Sequence, residues 1–341
     1  MKKIAMSRIA LKFAFAALVA LAASDLAHAA SCTTQAAMLS ADRDALAAAG
    51  NRLAAAAAAQ DFTSLKDALL PAVAGDWENI RAIVEQSASL LKGGQVQLNN
   101  LYLLDASTLS APADTQFFCS NANGSITVTI NMHSLPPGRY ALVLGEIKNS
   151  PYHGQFGIIL AWDQAAPNIG WKMGGITIHP GALGGNDGLW YWVRARELAR
   201  ADSTKYDPWS AYYSYEVARA LLVPVDFLSS PNLDKLEQEE AQIKNSPQQG
   251  FPLTLNDGPR SFKVEAVQVD PVLLQPDLAV LYEANSALTD AAAQRTEAIA
   301  VLSALLKTQP ALRQNFHGLW AYSVKDGKRT PVLELPMEQI P

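Results

Sequence analysis

The sequence predicts an α+β protein: helices first, then an antiparallel sheet, a helical hairpin, and a small α+β domain at the C-terminus. Three observations carry that expectation. Residues 33–94 place apolar side chains at three- and four-residue steps. Between residues 95 and 180 the period falls to two, with turn residues at short intervals. Helical spacing then returns at residues 189–222, ahead of a strand–strand–helix–strand–strand series in the last ninety residues.

The first 29 residues read as a cleavable signal peptide. Lys2, Lys3, Arg8 and Lys12 make a basic start, residues 13–23 are almost wholly apolar, and Ala27-His28-Ala29 is the small-residue pattern a signal peptidase cuts. The apolar run is shorter than the ~20 residues a bilayer span needs, and Asp25 interrupts it. No other stretch approaches that length, so no membrane span is expected. Without residues 1–29 the chain carries 23 Lys and Arg against 31 Asp and Glu. It has no basic stripe of the kind nucleic-acid binders show, so a nucleic-acid partner is not expected.

Two cysteines remain, Cys32 and Cys119. An even count in an exported chain suggests a disulfide. The competing reading is a lipid on Cys32, which would anchor the protein to a membrane. Lipoprotein signals usually carry Leu three residues before the cysteine, where this chain has Ala29.

Residues 41–59 are Ala-rich and suit a helix. Asp61 opens a second helical pattern through Leu65, Leu69, Leu70 and Val73, which continues with Trp77, Ile80, Ile83 and Val84 and stops at Gly93-Gly94. Strands follow around residues 96–104 and 117–118. Ile126, Val128 and Ile130 alternate with polar residues after the tight-turn pair Asn123-Gly124. Residues 140–144, 156–162 and 171–178 complete the set, and short connections favour antiparallel neighbours.

From Asp61 to Ile178 this order of helices and then a meandering sheet resembles the NTF2-like superfamily. That resemblance implies a cone: helices packed on one curved antiparallel sheet, with a pocket that in some members holds an inward carboxylate. Asp105, Asp163 and Tyr140 lie on or beside candidate strands for such a role. The segment Leu135-Pro136-Pro137-Gly138-Arg139-Tyr140 resembles a strand of exported immunoglobulin-like sandwiches, which leaves a two-sheet arrangement open.

Residues 181–188 read as a flexible junction, and residues 189–222 as a helical hairpin docked on the sheet domain. Leu198, Ala199, Ala211, Tyr215 and Ala218 are spaced in a way that resembles one tetratricopeptide (TPR) repeat. Pro224 falls one residue late for that pattern, and Ala195 stands at its early Trp position. The expected domains are therefore a signal peptide (1–29), a helix-and-sheet domain (30–180), a hairpin with a charged connector helix (181–245) and a C-terminal α+β domain (246–341). As a whole the chain resembles uncharacterised exported proteins of Gram-negative soil bacteria, a group that implies compartment and architecture but no chemistry.

No local motif supplies a catalytic, cofactor or metal site. His133, His153, His179 and His317 show neither H-x-H nor H-x₃-H spacing, and His179 and His317 read as surface or capping residues. Ser89-Leu90-Leu91-Lys92 matches S-x-x-K, but Ser89 ends a helix instead of opening one, and Lys325-Asp326-Gly327 breaks the family's third element. The glycines of residues 181–188 match neither the dinucleotide nor the P-loop fingerprint.

The densest chemical feature is aromatic. Trp190, Tyr191, Trp192, Tyr206, Trp209, Tyr212, Tyr213 and Tyr215 crowd into the hairpin. Such rings bury large area at low entropic cost, in a core or at a partner surface. Tyr213, Val217, Ala220 and Leu221 share one helical face and are expected inside. Tyr212 falls with Glu216 and Arg219 and is expected outside. Tyr212, Trp209 and Trp190 are the candidate surface for a protein partner. The sequence thus supports an exported, non-enzymatic, partner-binding module, with an NTF2-like pocket protein acting on a small apolar molecule as the alternative.

Overall fold

The computed structural model describes residues 30–149, 153–163, 170–285 and 290–341. The proposed signal peptide lies outside these residues. Within them the protein is α+β, and the helical and antiparallel character expected from the sequence is present.

The N-terminal half holds β1 (Ser31–Thr34), α1 (Ser40–Ala58), α2 (Phe62–Asp67), α3 (Trp77–Gln86) and α4 (Ala88–Leu91). These are followed by β2 (Gln95–Asp105), β3 (Ala113–Ser120), β4 (Ile126–Leu135), β5 (Arg139–Lys148), β6 (Gly154–Trp162) and β7 (Trp171–Pro180). α2 starts where expected: the Asp61 side chain accepts the Ser64 N–H at 3.0 Å and caps the helix.

A five-stranded antiparallel sheet runs in the order β1-β2-β5-β6-β7. β3 and β4 leave it and form a second sheet with β10 (Leu228–Ser229). The reason is written in β2 and β5, whose apolar runs Leu101-Tyr102-Leu103-Leu104 and Ala141-Leu142-Val143-Leu144 present both faces for burial. Leu101, Ala141 and Val143 pack under the helices with Leu46, Leu53, Leu65, Ile80 and Val84. Tyr102, Leu104, Leu142 and Leu144 point the other way and are covered by Phe117, Cys119 and Ile130 of the second sheet. The result has three layers: helices, long sheet and short sheet. Cys32 on β1 and Cys119 on β3 are joined by a disulfide, which ties the two sheets together. A cysteine in a disulfide has no thiol to lipidate, so the lipid-anchor reading of Cys32 is set aside. β1 itself was not expected from the sequence.

Residues 181–188 form a small turn instead of a flexible junction: β8 (Ala182–Leu183) pairs with β9 (Asn186–Asp187) and leads into α5 (Gly188–Ala199). α6 (Pro208–Leu222) packs against α5 as a hairpin, and α7 (Pro231–Ala241) follows β10. The C-terminal sheet has the order β11 (Leu253–Asp257), β12 (Arg260–Asp270), β13 (Asp277–Glu283), β14 (Gly318–Lys325), β15 (Lys328–Pro336). β13 and β14 are parallel, and the connection between them carries α8 (Ala291–Thr308) and α9 (Leu312–Asn315), as a parallel pair requires.

The hairpin shares its main core with this second half, not with the N-terminal sheet on which the sequence placed it. Tyr191, Tyr213, Val217 and Leu221 join Phe262, Val264, Leu278, Val301 and Leu305 in one apolar cluster. The segment after α6 joins it to the N-terminal half: His179 Nε2 lies 3.0 Å from the Pro224 carbonyl, and Val225 and Leu228 enter the apolar cluster of Leu104 and Leu142. No helix among the described residues is long and apolar enough to cross a membrane.

Candidate functional site

The hairpin helices start where their capping residues put them. Asp187 accepts the Trp190 N–H at 2.8 Å and Asp207 accepts the Trp209 N–H at 3.2 Å, with Pro208 in the first turn of α6. A Cβ on Gly188 would come within 2.6 Å of the Leu222 side chain, so glycine lets the start of α5 meet the end of α6.

Most of the aromatic cluster is core. Tyr191, Trp192, Tyr213 and Tyr215 are buried. Tyr213 meets Trp209, Tyr212 and Phe316 edge-on, with centroids 6.2, 5.1 and 6.2 Å away. Trp209 is half-buried against Tyr213 and Phe251. Tyr212, expected outside, is also half-buried against the same core. Burial first, and Glu216 next, push its hydroxyl up to about 12. Ala220, expected inside, is exposed.

The faces that carry Tyr213 and Tyr215 are both covered because the hairpin has two neighbours. One face lies on the C-terminal sheet and the other on α7. There Glu239 gathers the Arg196 guanidinium, with Nε at 2.7 Å and Nη2 at 2.9 Å, the Trp192 Nε1 at 2.7 Å and the Tyr215 hydroxyl at 3.3 Å. Burial would raise the Glu239 carboxyl, but the Arg196 fork and the Trp192 N–H outweigh it and hold it below the usual range. The next residue, Glu240, is buried beside Glu216. Burial first, then the like charge of Glu216, push it up to about 8.

Of the three candidate surface rings, Trp190 alone is exposed, at 42%. It stands with Leu189 (58%) and Val193 (65%) on the outer side of α5. Leu189 and Val193 are four residues apart, one turn on the same face, so the three side chains make a continuous apolar ridge. Tyr191 braces Trp190 edge-on at 4.9 Å, and the Arg194 guanidinium sits 5.2 Å from its ring centre. Arg194 is held in turn by the Asn315 side-chain oxygen of α9.

A second cluster lies on the C-terminal sheet, built from residues the sequence reading passed over. Asp277 begins β13 and is fully buried; its Oδ1 lies 2.9 Å from Nδ1 of His317, the residue before β14. His317 was expected to be a surface or capping residue. It is 41% exposed, yet its ring faces a buried carboxylate. Glu334 on β15 completes the group, and one ligating atom from each residue lies within 4.8 Å of the others. Burial and the Asp277 charge raise the Glu334 carboxyl above its ordinary value. No local spacing signals this trio, because three separate strands supply it.

The helix-facing side of the long sheet is filled by buried side chains, and two clefts lie along its edge. One of about 620 Å³ is lined by Arg43, Asp44, Asn51, Gln97, Leu98 and Lys148. None of the three residues weighed for a pocket lines that cleft: Asp105 accepts the Ser107 N–H and hydroxyl, whereas Tyr140, whose hydroxyl donates to the Pro136 carbonyl, and Asp163 line a separate cleft of about 220 Å³. No protein-family model, curated protein or solved structure matches the chain.

Proposed function

We propose that this protein is an exported, non-enzymatic binding module that holds a protein partner on the outer ridge of α5. The observation that carries the reading is the exposure of Leu189, Trp190 and Val193 on one helical face, in a hairpin that buries Tyr191, Trp192, Tyr213 and Tyr215. Trp and Arg are among the residues that dominate binding energy at protein interfaces, and weaker contacts around them serve to exclude water. Tyr212 and Trp209, half-buried on α6 against the core, are not part of that ridge. Export rests on the basic, apolar and small-residue order of the first 29 residues and on the Cys32–Cys119 disulfide, a bond that persists in oxidising compartments.

The test is site-specific photo-crosslinking in the native host. A photoreactive residue at position 193 should give one discrete adduct, whose mass separates a second copy of this chain from another protein. The same probe at Lys263, exposed on the C-terminal sheet, should give none. Equal labelling at both positions, or no adduct at 193, would remove the basis for the reading.

A further inference from the structure

We infer that Asp277, His317 and Glu334 form a binding site for a divalent transition-metal ion, with Zn²⁺ the best match. The sheet register brings the three together. Asp277 is one residue before Leu278, which pairs with Leu319, so it sits beside Gly318 across the parallel β13–β14 ladder. Glu334 pairs with Trp320 on the other side of β14 and shares its face. Gly318 thus lies between two carboxylates, and it leaves the space between them open. A Cβ there would stand 3.0 Å from Glu334 Oε1 and 3.1 Å from Asp277 Oδ1. Both oxygens therefore converge on one point at the strand surface.

The same carboxylates carry unmet bonding capacity. Asp277 Oδ2 and Glu334 Oε1 are shielded from solvent and have no hydrogen-bond partner among the described residues. Asp277 is 0% exposed, and a buried carboxylate oxygen without a donor or cation is costly. Charge points the same way. Two carboxylates, Asp277 and Glu334, share one imidazole. Asp270 on β12, opposite Asp277 in the register, is committed to the Tyr322 hydroxyl and the Val272 N–H.

Donor type selects the ion. Nδ1 of His317 and Oδ1 of Asp277 are 2.9 Å apart, a hydrogen-bond distance that must open to about 3.4 Å for tetrahedral ligation with bonds of about 2.1 Å, so the ion replaces the proton between them. One imidazole nitrogen and two carboxylate oxygens suit Zn²⁺ over Ca²⁺, which takes oxygen ligands alone in larger number. His317 is partly exposed, which gives the ion a way in, and three protein ligands leave a coordination position for water. Such an ion would fasten β13, β14 and β15 at one end of the sheet.

Isothermal titration of the chelator-treated, untagged protein with Zn²⁺, Mn²⁺ and Ca²⁺ tests it. One Zn²⁺ per chain should bind, at least 100-fold tighter than Ca²⁺, with an upward shift in the thermal unfolding midpoint. Glu334→Gln and His317→Asn should each weaken Zn²⁺ at least tenfold and abolish the thermal shift, with unchanged far-UV circular dichroism. Gly318→Ala should do the same with all three ligands in place. His133→Asn, on the exposed surface, should change nothing. No saturable Zn²⁺ binding to the wild-type protein, or binding that survives Glu334→Gln, would overturn the inference.

Discussion

Tyr213 offers the sharpest check on how the hairpin is built. Its ring is fully buried and touches Trp209, Tyr212 and Phe316, but its hydroxyl has no hydrogen-bond partner among the described residues. The two halves of the side chain therefore act in opposite directions. Truncation to Ala removes the ring and opens a cavity, at a cost of about 3–5 kcal/mol, with further loss from the three edge-on contacts. Tyr213→Phe keeps the ring and removes the unpaired hydroxyl. An unsatisfied buried hydroxyl costs about 1–3 kcal/mol, so this variant should gain about 1 kcal/mol in stability. Urea denaturation followed by near-ultraviolet circular dichroism measures both, and the slope should stay constant so that the midpoints compare directly. A loss above ~1 kcal/mol in Tyr213→Phe would mean that the hydroxyl is bonded in solution. A loss under ~1 kcal/mol in Tyr213→Ala would mean that the ring is not core.

Other outcomes follow from the same structure. The disulfide spans a sequence separation of 87 residues and pins β1 to the second sheet, so Cys32→Ala with Cys119→Ala should cost about 4–5 kcal/mol in a denaturant titration. A change below ~1 kcal/mol would show that the sheets hold without it. Glu240 titrates at about 8 in the fold against 4.5 when unfolded, so between those values the fold keeps a proton the unfolded chain has released. Its contribution is present below about pH 4.5 and is lost as pH rises through about 8. Glu240→Gln should therefore raise the unfolding midpoint at pH 9 and leave it unchanged at pH 4; equal shifts at both would refute the assignment. N-terminal sequencing of the exported protein should begin at or next to Ala30, and retention of residues 1–29 would exclude the signal-peptide reading.

Periodicity made the order of elements legible. The helical steps at Leu65 and from Trp77 to Val84 and the alternation at Ile126, Val128 and Ile130 correspond to α2, α3 and β4, whereas Leu69 bridges to Met173 and Pro71–Asp76 form a 3₁₀ turn. What alternation could not supply was partnership. Leu101 to Leu104 and Ala141 to Leu144 are continuous apolar runs, the mark of strands buried on both faces, and that signal foretells a second covering layer. Which strands would provide it depended on β3 and β4 leaving the first sheet, a choice no local pattern encodes. Tyr212 was misplaced for a related reason. Sharing a helical face with Glu216 and Arg219 argued for solvent, but those two pair with each other at 2.8 Å, and Glu216 lies against Glu240 of α7. A charged stripe can face a second helix as well as water. Asp277, His317 and Glu334 were invisible because sheet pairing, not sequence spacing, assembles them.

The ridge on α5 is the point at which the account is most exposed to test. Hydroxyl-radical footprinting compares the oxidation of Trp190 in the purified protein with that in the native host. Trp190 should oxidise fast in the purified protein, and Trp190, Leu189 and Val193 should be strongly protected in the host, while Tyr206 reacts alike in both. Equal oxidation of Trp190 in the two settings would contradict the partner-binding reading, because the ridge would then face water where the protein works.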